Sequence, residues 1–160
     1  EFMEKLHPIM FAGTGSDVGK SIIAAAFCRI FKQDAISRTV KAQNMALNSF
    51  ATPEGLEIGR AQLCKQKRRS ALHTDMNPLL LKPQSDHTSQ VVLNGVLFGN
   101  RNAYDYFRKE GRDELRREVC AAYDRLAARY NPVVLEGAGS ISEINLRDTD
   151  LVNLPMALHA

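Results

Sequence analysis

The stretch FAGTGSDVGKS, Phe11 to Ser21, most constrains the fold. A short apolar run, HPIMFAG at 7–13, precedes it and reads as a buried strand. VGKSIIAAAFCRIFKQD at 18–34 follows it and reads as a helix, with Ile22, Ala26 and Ile30, and Ala25 and Phe31, at helical spacing. Strand, glycine-rich loop and helix together turn backbone N–H groups inward around an anion, and the positive end of the helix points at the same place. The common phosphate loop is G-x-x-x-x-G-K-[ST], which puts its first glycine at position 14. Here position 14 is Thr, and the glycine comes one place early, at Gly13. The candidate nucleotide-binding residues are Gly13, Thr14, Gly15, Ser16, Asp17, Val18, Gly19, Lys20 and Ser21. Lys20 can reach terminal phosphates, and the Ser21 hydroxyl can ligate Mg²⁺. A purely structural glycine turn would not explain Lys and Ser at that spacing.

The rest of the chain alternates strand and helix signals. RTVKA at 38–42 reads as a second strand. TPEGLEIGRAQLCKQKRR at 52–69 opens like a helix, with Thr52 as cap and Pro53 in the first turn. NPLLLKP at 77–83 is a brief apolar run, and Asn94-Gly95 between apolar runs in 89–100 predicts a β-hairpin. Residues 102–130 read as helix broken at Gly111, with Leu115, Val119, Tyr123, Leu126 and Tyr130 on one face. PVVLEGAGS at 132–140 is a buried strand running into a glycine turn, and LVNLPMALHA ends the chain partway through a further helical pattern. This order predicts an α/β domain: a P-loop NTPase-like, mainly parallel sheet flanked by helices, with a small β-hairpin insertion.

Bulk properties narrow the function. The 160 residues carry a formal charge of +3, which suits an anionic ligand but lacks the dense basic face of a nucleic-acid binder. Cys28, Cys64 and Cys120 lie far apart and form no C-x-x-C pair, so neither a zinc site nor a disulfide framework is expected. No membrane span and no signal-peptide core is legible, and a cytoplasmic protein is expected. Glu1-Phe2 ahead of Met3 reads as a cloning scar, leaving 3–160 as one domain. Self-association of copies is left open.

GTGSDVGKS resembles the loop of dethiobiotin synthetase and its relatives, where G-T-x-x-x-V-G-K-[ST] is usual. The partition and septum-site ATPases carry an extra lysine near the loop's start, where this chain has Gly15. Further along, KAQNMALNSF (41–50), EIGRAQ (57–62), DMNPLLLKP (75–83), SQVV (89–92) and EGAGSISEINLRDTDLVN (136–153) together resemble the cobyric acid synthase family. Two stretches depart from that family's look: AISRTV at 35–40 and the basic LCKQKRRSAL at 63–72, which reads either as an anion patch or as a solvated helix face.

The resemblance implies a glutamine-dependent ligase of cobalamin biosynthesis that uses ATP and Mg²⁺. It implies a corrinoid substrate, adenosylcobyrinic acid a,c-diamide, whose peripheral carboxylates become amides. It also implies a second, glutaminase part with a Cys-His site; no cysteine here sits in a tight glycine-flanked elbow, so that part is expected to be missing from this chain. Glu136 ends an apolar strand, so its carboxylate is expected at the sheet's carboxyl edge beside the phosphate loop, as a catalytic residue and metal ligand with Ser21. Glu57 is a third candidate metal ligand by resemblance, against the reading of an exposed helical glutamate. Lys41 resembles the lysine that faces substrate carboxylate and γ-phosphate in related ligases, and joins Lys20 as a candidate catalytic residue. Gln43, Asn44, Asn48, Glu143 and Asn145 are candidate substrate contacts. Two alternatives stay open: another ligase of this group, such as the one that amidates the a and c carboxylates, and an ATPase switch without ligase activity.

Overall fold

The computed structural model describes residues 5–34, 38–65, 72–84, 89–98, 112–142 and 150–160. The expected features at 35–37, 66–71, 102–111 and 143–149, including the basic run, the break at Gly111, Glu143 and Asn145, lie outside them.

Strand β1 (Ile9–Phe11) leads through the glycine loop into α1 (Lys20–Asp34), and β2 (Arg38–Val40) follows. β1 and β2 both pair in parallel with β9 (Val133–Glu136), giving the order β1-β9-β2. Phe11 lies opposite Glu136, and Val40 opposite Leu135. The chain bends at Lys41-Ala42 into β3 (Gln43–Met45), which pairs in parallel with β6 (Leu79–Pro83). β6 then pairs antiparallel with β7 (Ser89–Leu93), and β7 with β8 (Val96–Leu97). This gives the expected hairpin: Asn94 and Gly95 have φ of 49° and 82°, the two positive values of a tight type I′ turn.

The helix expected to open at Thr52 is a correction. β4 (Ser49–Ala51) and β5 (Glu57–Gly59) form an antiparallel pair there, and helix α2 begins only at Arg60 and runs to Lys65. Thr52 caps a turn instead: its Oγ1 accepts from Leu56 N–H at 3.3 Å, and Gly55 closes the turn with φ of 81°. Pro-Glu-Gly is a turn signal as much as a helix start, and Gly55 takes a conformation that helices exclude.

Strand alternation explains the layers. Val133 and Leu135 point to one face of β9 and Val134 and Glu136 to the other. The first face meets α3 (Arg112–Ala127), which buries Leu115, Val119, Ala122, Tyr123 and Leu126 at the predicted helical spacing. Val40, Leu79, Leu81, Val91 and Met156 join the same core. Burying Leu115, Val119 or Leu126 contributes about 1.5–3 kcal/mol each. Asp75, in a 3-10 turn at Thr74–Met76, ties this core to α3 by accepting from Arg125 Nη2 at 2.6 Å and Nε at 3.0 Å.

The second face of β9 meets α1, where Ala24, Cys28 and Val134 pack with Phe11 and Phe31. Of the apolar positions at helical spacing in α1, Ile22, Ala26 and Ile30 are exposed, with Ile22 74% and Ile30 55% accessible. The last helix, α4, spans Leu154–His159. No described helix is long and apolar enough to cross a membrane.

Candidate functional site

The loop between β1 and α1 answers the question of its early glycine. A Cβ at Gly13 would lie 2.6 Å from Val18 Cγ2 and 3.0 Å from Lys20 Cδ, so a side chain there would displace the lysine stem. Thr14, at the position where the common loop has glycine, is exposed. Gly19 has φ of 93°, and its carbonyl starts α1 by accepting from Ile22 N–H at 3.0 Å.

Lys20 is buried, and its Nζ donates to the carbonyls of Gly15, of Ser16 at 3.2 Å and of Gly139 at 2.9 Å. Its ammonium is thus held among loop carbonyls beside the cradle. The last of these belongs to the turn after β9, which is stitched to the phosphate loop twice more. Gly137 N–H donates to Phe11 O at 2.9 Å, and Ile141 N–H to Gly13 O at 2.9 Å.

Glu136 leaves the end of β9 on the α1 side and is 2% exposed. One of its carboxylate oxygens, Oε1, accepts from Ser21 Oγ at 2.5 Å and from Lys41 Nζ at 2.8 Å. A buried carboxylate without such partners would cost several kcal/mol, roughly, so these contacts hold it in place. Lys41 reaches it from the bend after β2, where its own N–H donates to Met76 O at 2.9 Å.

Lys20 and Lys41 open onto a cavity of about 520 Å³. Ser16, Asp17, Lys20, Lys41 and Gln43 to Met45 line it, together with Ala138 to Ile141 and Asp150 to Leu154. Asn44 is buried, and its Nδ2 has no partner among the described residues. The fold therefore brings together Ser21, Lys41 and Glu136 by direct contact, with Lys20, Asp17, Gln43 and Asn44 around the neighbouring cavity.

Two candidates fall elsewhere. Asn48 is exposed and lines no part of the cavity; its carbonyl accepts from Arg60 N–H at 3.2 Å. Glu57 lies on β5 and pairs with Lys82. Partial burial raises its pKa, but hydrogen bonds from Lys82 and Ser49 outweigh that and hold it below the usual glutamate range. Asn153, absent from the sequence-derived candidates, also lines the cavity; an Asp-x-x-Asn just ahead of a helix with an early Pro was the available signal.

The oxygens present fit a hard cation. The Ser21 hydroxyl and Glu136 carboxylate stand together at the loop, and the Lys41 ammonium already sits as a cation on that carboxylate. Mg²⁺ takes few protein ligands beside phosphate and water. Among the described residues, no group of three or more His, Cys, Asp or Glu could hold a metal on its own.

Sequence comparisons identify the family. Residues 9–153 match the family model described as CobQ/CobB/MinD/ParA nucleotide binding domain. The chain is 77% identical over 159 residues to a cobyric acid synthase of Bacteroides fragilis, covering 98% of this chain and 32% of that protein. It is 76% identical to the cobyric acid synthase of Phocaeicola vulgatus and 59% identical to that of Parabacteroides distasonis, each over 98% of this chain and 32% of the relative. It thus spans about a third of the length of these relatives. With strand, loop, helix and distal acid in the order such a site requires, the chain belongs to the CobQ/CobB/MinD/ParA nucleotide-binding-domain family.

Proposed function

We propose that residues 3–160 form the ATP-binding synthetase part of a cobyric acid synthase. On this reading the whole enzyme converts adenosylcobyrinic acid a,c-diamide to adenosylcobyric acid by amidating peripheral carboxylates. The observation that carries it is the meeting of Ser21, Lys41 and Glu136 on one carboxylate oxygen beside the phosphate loop. The named relatives, up to 77% identical, supply the substrate class.

A carboxylate resists ammonia because it is anionic and has a poor leaving group. Its oxygen attacks the γ-phosphorus of ATP, the bond to the β-phosphate oxygen breaks, and ADP leaves. Ammonia then adds to the acyl carbon of the acyl phosphate, loses a proton and expels inorganic phosphate, leaving the amide. The first step needs positioning and charge neutralisation more than covalent help. Residues 13–19 cradle the phosphates with backbone N–H groups. Lys20 exchanges its carbonyl partners for phosphate oxygens. Lys41 orients the attacking carboxylate, and Ser21 and Glu136 would hold Mg²⁺. That ion, when bound, neutralises charge on the β- and γ-phosphate oxygens. Gln43 and Asn44 are placed to contact the substrate's polar edge.

Met45, Ile141 and Leu154 also support the substrate class. They are 64%, 46% and 47% exposed at the cavity's edge, where a broad, partly apolar ring bearing carboxylates would lie. The ammonia comes from glutamine hydrolysed by a glutaminase part in the length that the relatives have beyond this chain. The reaction belongs in the cytoplasm, where ATP is supplied.

The test is the fate of a heavy-oxygen label in the substrate carboxylates, followed in the full-length enzyme with Mg·ATP and ammonium. Label in the released phosphate, with amide in the corrinoid, is expected. ATP hydrolysis that leaves the label in the corrinoid overturns the ligase reading and favours a nucleotide switch.

A further inference from the structure

We propose that Asn153 is a positioning residue for the nucleotide site, acting through the turn that follows β9; the inference rests on the nucleotide-binding reading above. Asn153 occupies the N-cap of α4, a position where asparagine usually bonds to the first free N–H groups of its own helix. Its side chain makes no such bond. Asp150 caps the turn instead. Its Oδ1 accepts from Val152 N–H at 3.1 Å and Asn153 N–H at 2.9 Å, and its Oδ2 from Leu154 N–H at 3.0 Å. The Asn153 amide is thereby released for another task.

That task is a two-point clamp. Asn153 Oδ1 accepts from Ala138 N–H at 2.9 Å, and Asn153 Nδ2 donates to Ala138 O at 2.9 Å. The side chain is 7% exposed, so water competes little for either bond. The approach depends on Gly137, where a Cβ would lie 2.6 Å from Asn153 Oδ1.

The clamped residue sits between the two functional points of the turn. Two residues before it, Glu136 holds Ser21 and Lys41. One residue after it, Gly139, with φ of 62°, offers its carbonyl to Lys20 at 2.9 Å. Glycines at 137 and 139 give this turn wide conformational freedom. Asn153 removes that freedom at the point between them. One side chain, 15 residues away in sequence, thus sets the turn that faces both the phosphate-loop lysine and the buried carboxylate.

Asn153→Asp tests this. It keeps the side chain's shape and the acceptor for Ala138 N–H, but replaces the donor to Ala138 O with a second acceptor. The affinity for Mg·ATP, read by calorimetry on the whole chain, is expected to fall about tenfold. Amide exchange at Ala138 and Ile141 is expected to speed up by a similar factor, while Val134 and Leu135 in β9 stay protected. Wild-type affinity in a folded Asn153→Asp chain overturns the inference. Protection lost evenly through β9 and α3 also overturns it, because the role would then be structural only. If the variant does not fold, the wild-type chain decides. The Asn153 side-chain amide and Ala138 N–H resonances should shift on adding Mg·ATP, and unmoved resonances in a chain that binds contradict the proposal. A folded wild-type chain that binds no Mg·ATP would instead sink the nucleotide reading itself.

Discussion

The two faces of β9 divide the molecule. On the α3 side, Val133 and Leu135 enter an apolar core with Leu115, Val119 and Leu126, and the stability of the described fold concentrates there. On the α1 side, Val134 packs on Ala24 and Cys28, and two residues later the same face carries Glu136 to Ser21 and Lys41. One strand thus serves packing on one side and chemistry on the other. Alternation of side chains keeps the two separable. Substitutions on the first face should cost stability and leave binding alone, and those on the second should cost binding or turnover.

Leu126→Ala breaks this division most visibly. It opens a hole in the α3 core, and the unfolding free energy should drop by about 2–5 kcal/mol in denaturant titration. Mg·ATP affinity of the remaining folded chain should be unchanged; a parallel loss would mean the faces are coupled. Lys41→Ala reports on the other face. Turnover of the full-length enzyme should fall about a hundredfold, and the unfolding midpoint should fall as well, because the buried Glu136 carboxylate loses its cation. Near-normal turnover would remove Lys41 from the reaction.

A smaller, pH-dependent effect belongs to neither face. The Glu57 carboxyl is held below the usual glutamate range by Lys82 and Ser49, after burial has pushed it the other way. A depressed folded-state pKa adds stability above the unfolded value, and this is lost as pH falls through the folded one. Glu57→Gln should therefore lower stability slightly at neutral pH and make no difference in strong acid. An equal effect at both would show that the ion pair contributes nothing. The smallest effect is expected at Ile22, which is 74% exposed: Ile22→Ser should shift stability by about 0.5 kcal/mol or less.

Ile22 also shows why some of the fold was legible in the sequence and some was not. In α3 the apolar spacing named the buried face correctly, since packing alone decides how that helix is turned. In α1 packing does not decide. Lys20 and Ser21 must face the phosphate loop and Glu136, so Ala24 and Cys28, one and two turns on, are carried inward with them. Ile22, two residues on from Lys20, is rotated about 200° away. The chemistry of the loop thus overrode the apolar stripe.

The site itself followed the same logic. The phosphate loop was legible because its residues are contiguous and each glycine has a local reason. Glu136 and Lys41 were legible as strand ends at the sheet's carboxyl edge. Asn153 was not, because it acts on Ala138 across a long sequence gap. Residues 52–59 were misread because cap and turn signals overlap there, and the positive φ at Gly55 decided for the turn.

The most direct test of the account is calorimetric titration of Mg·ATP into this chain and into Lys20→Ala, with thermal unfolding measured on both. The account predicts one binding site in the wild-type chain, an affinity loss of about a hundredfold in Lys20→Ala, and closely similar unfolding temperatures. A folded wild-type chain with no binding heat, or equal affinity in both chains, would contradict it.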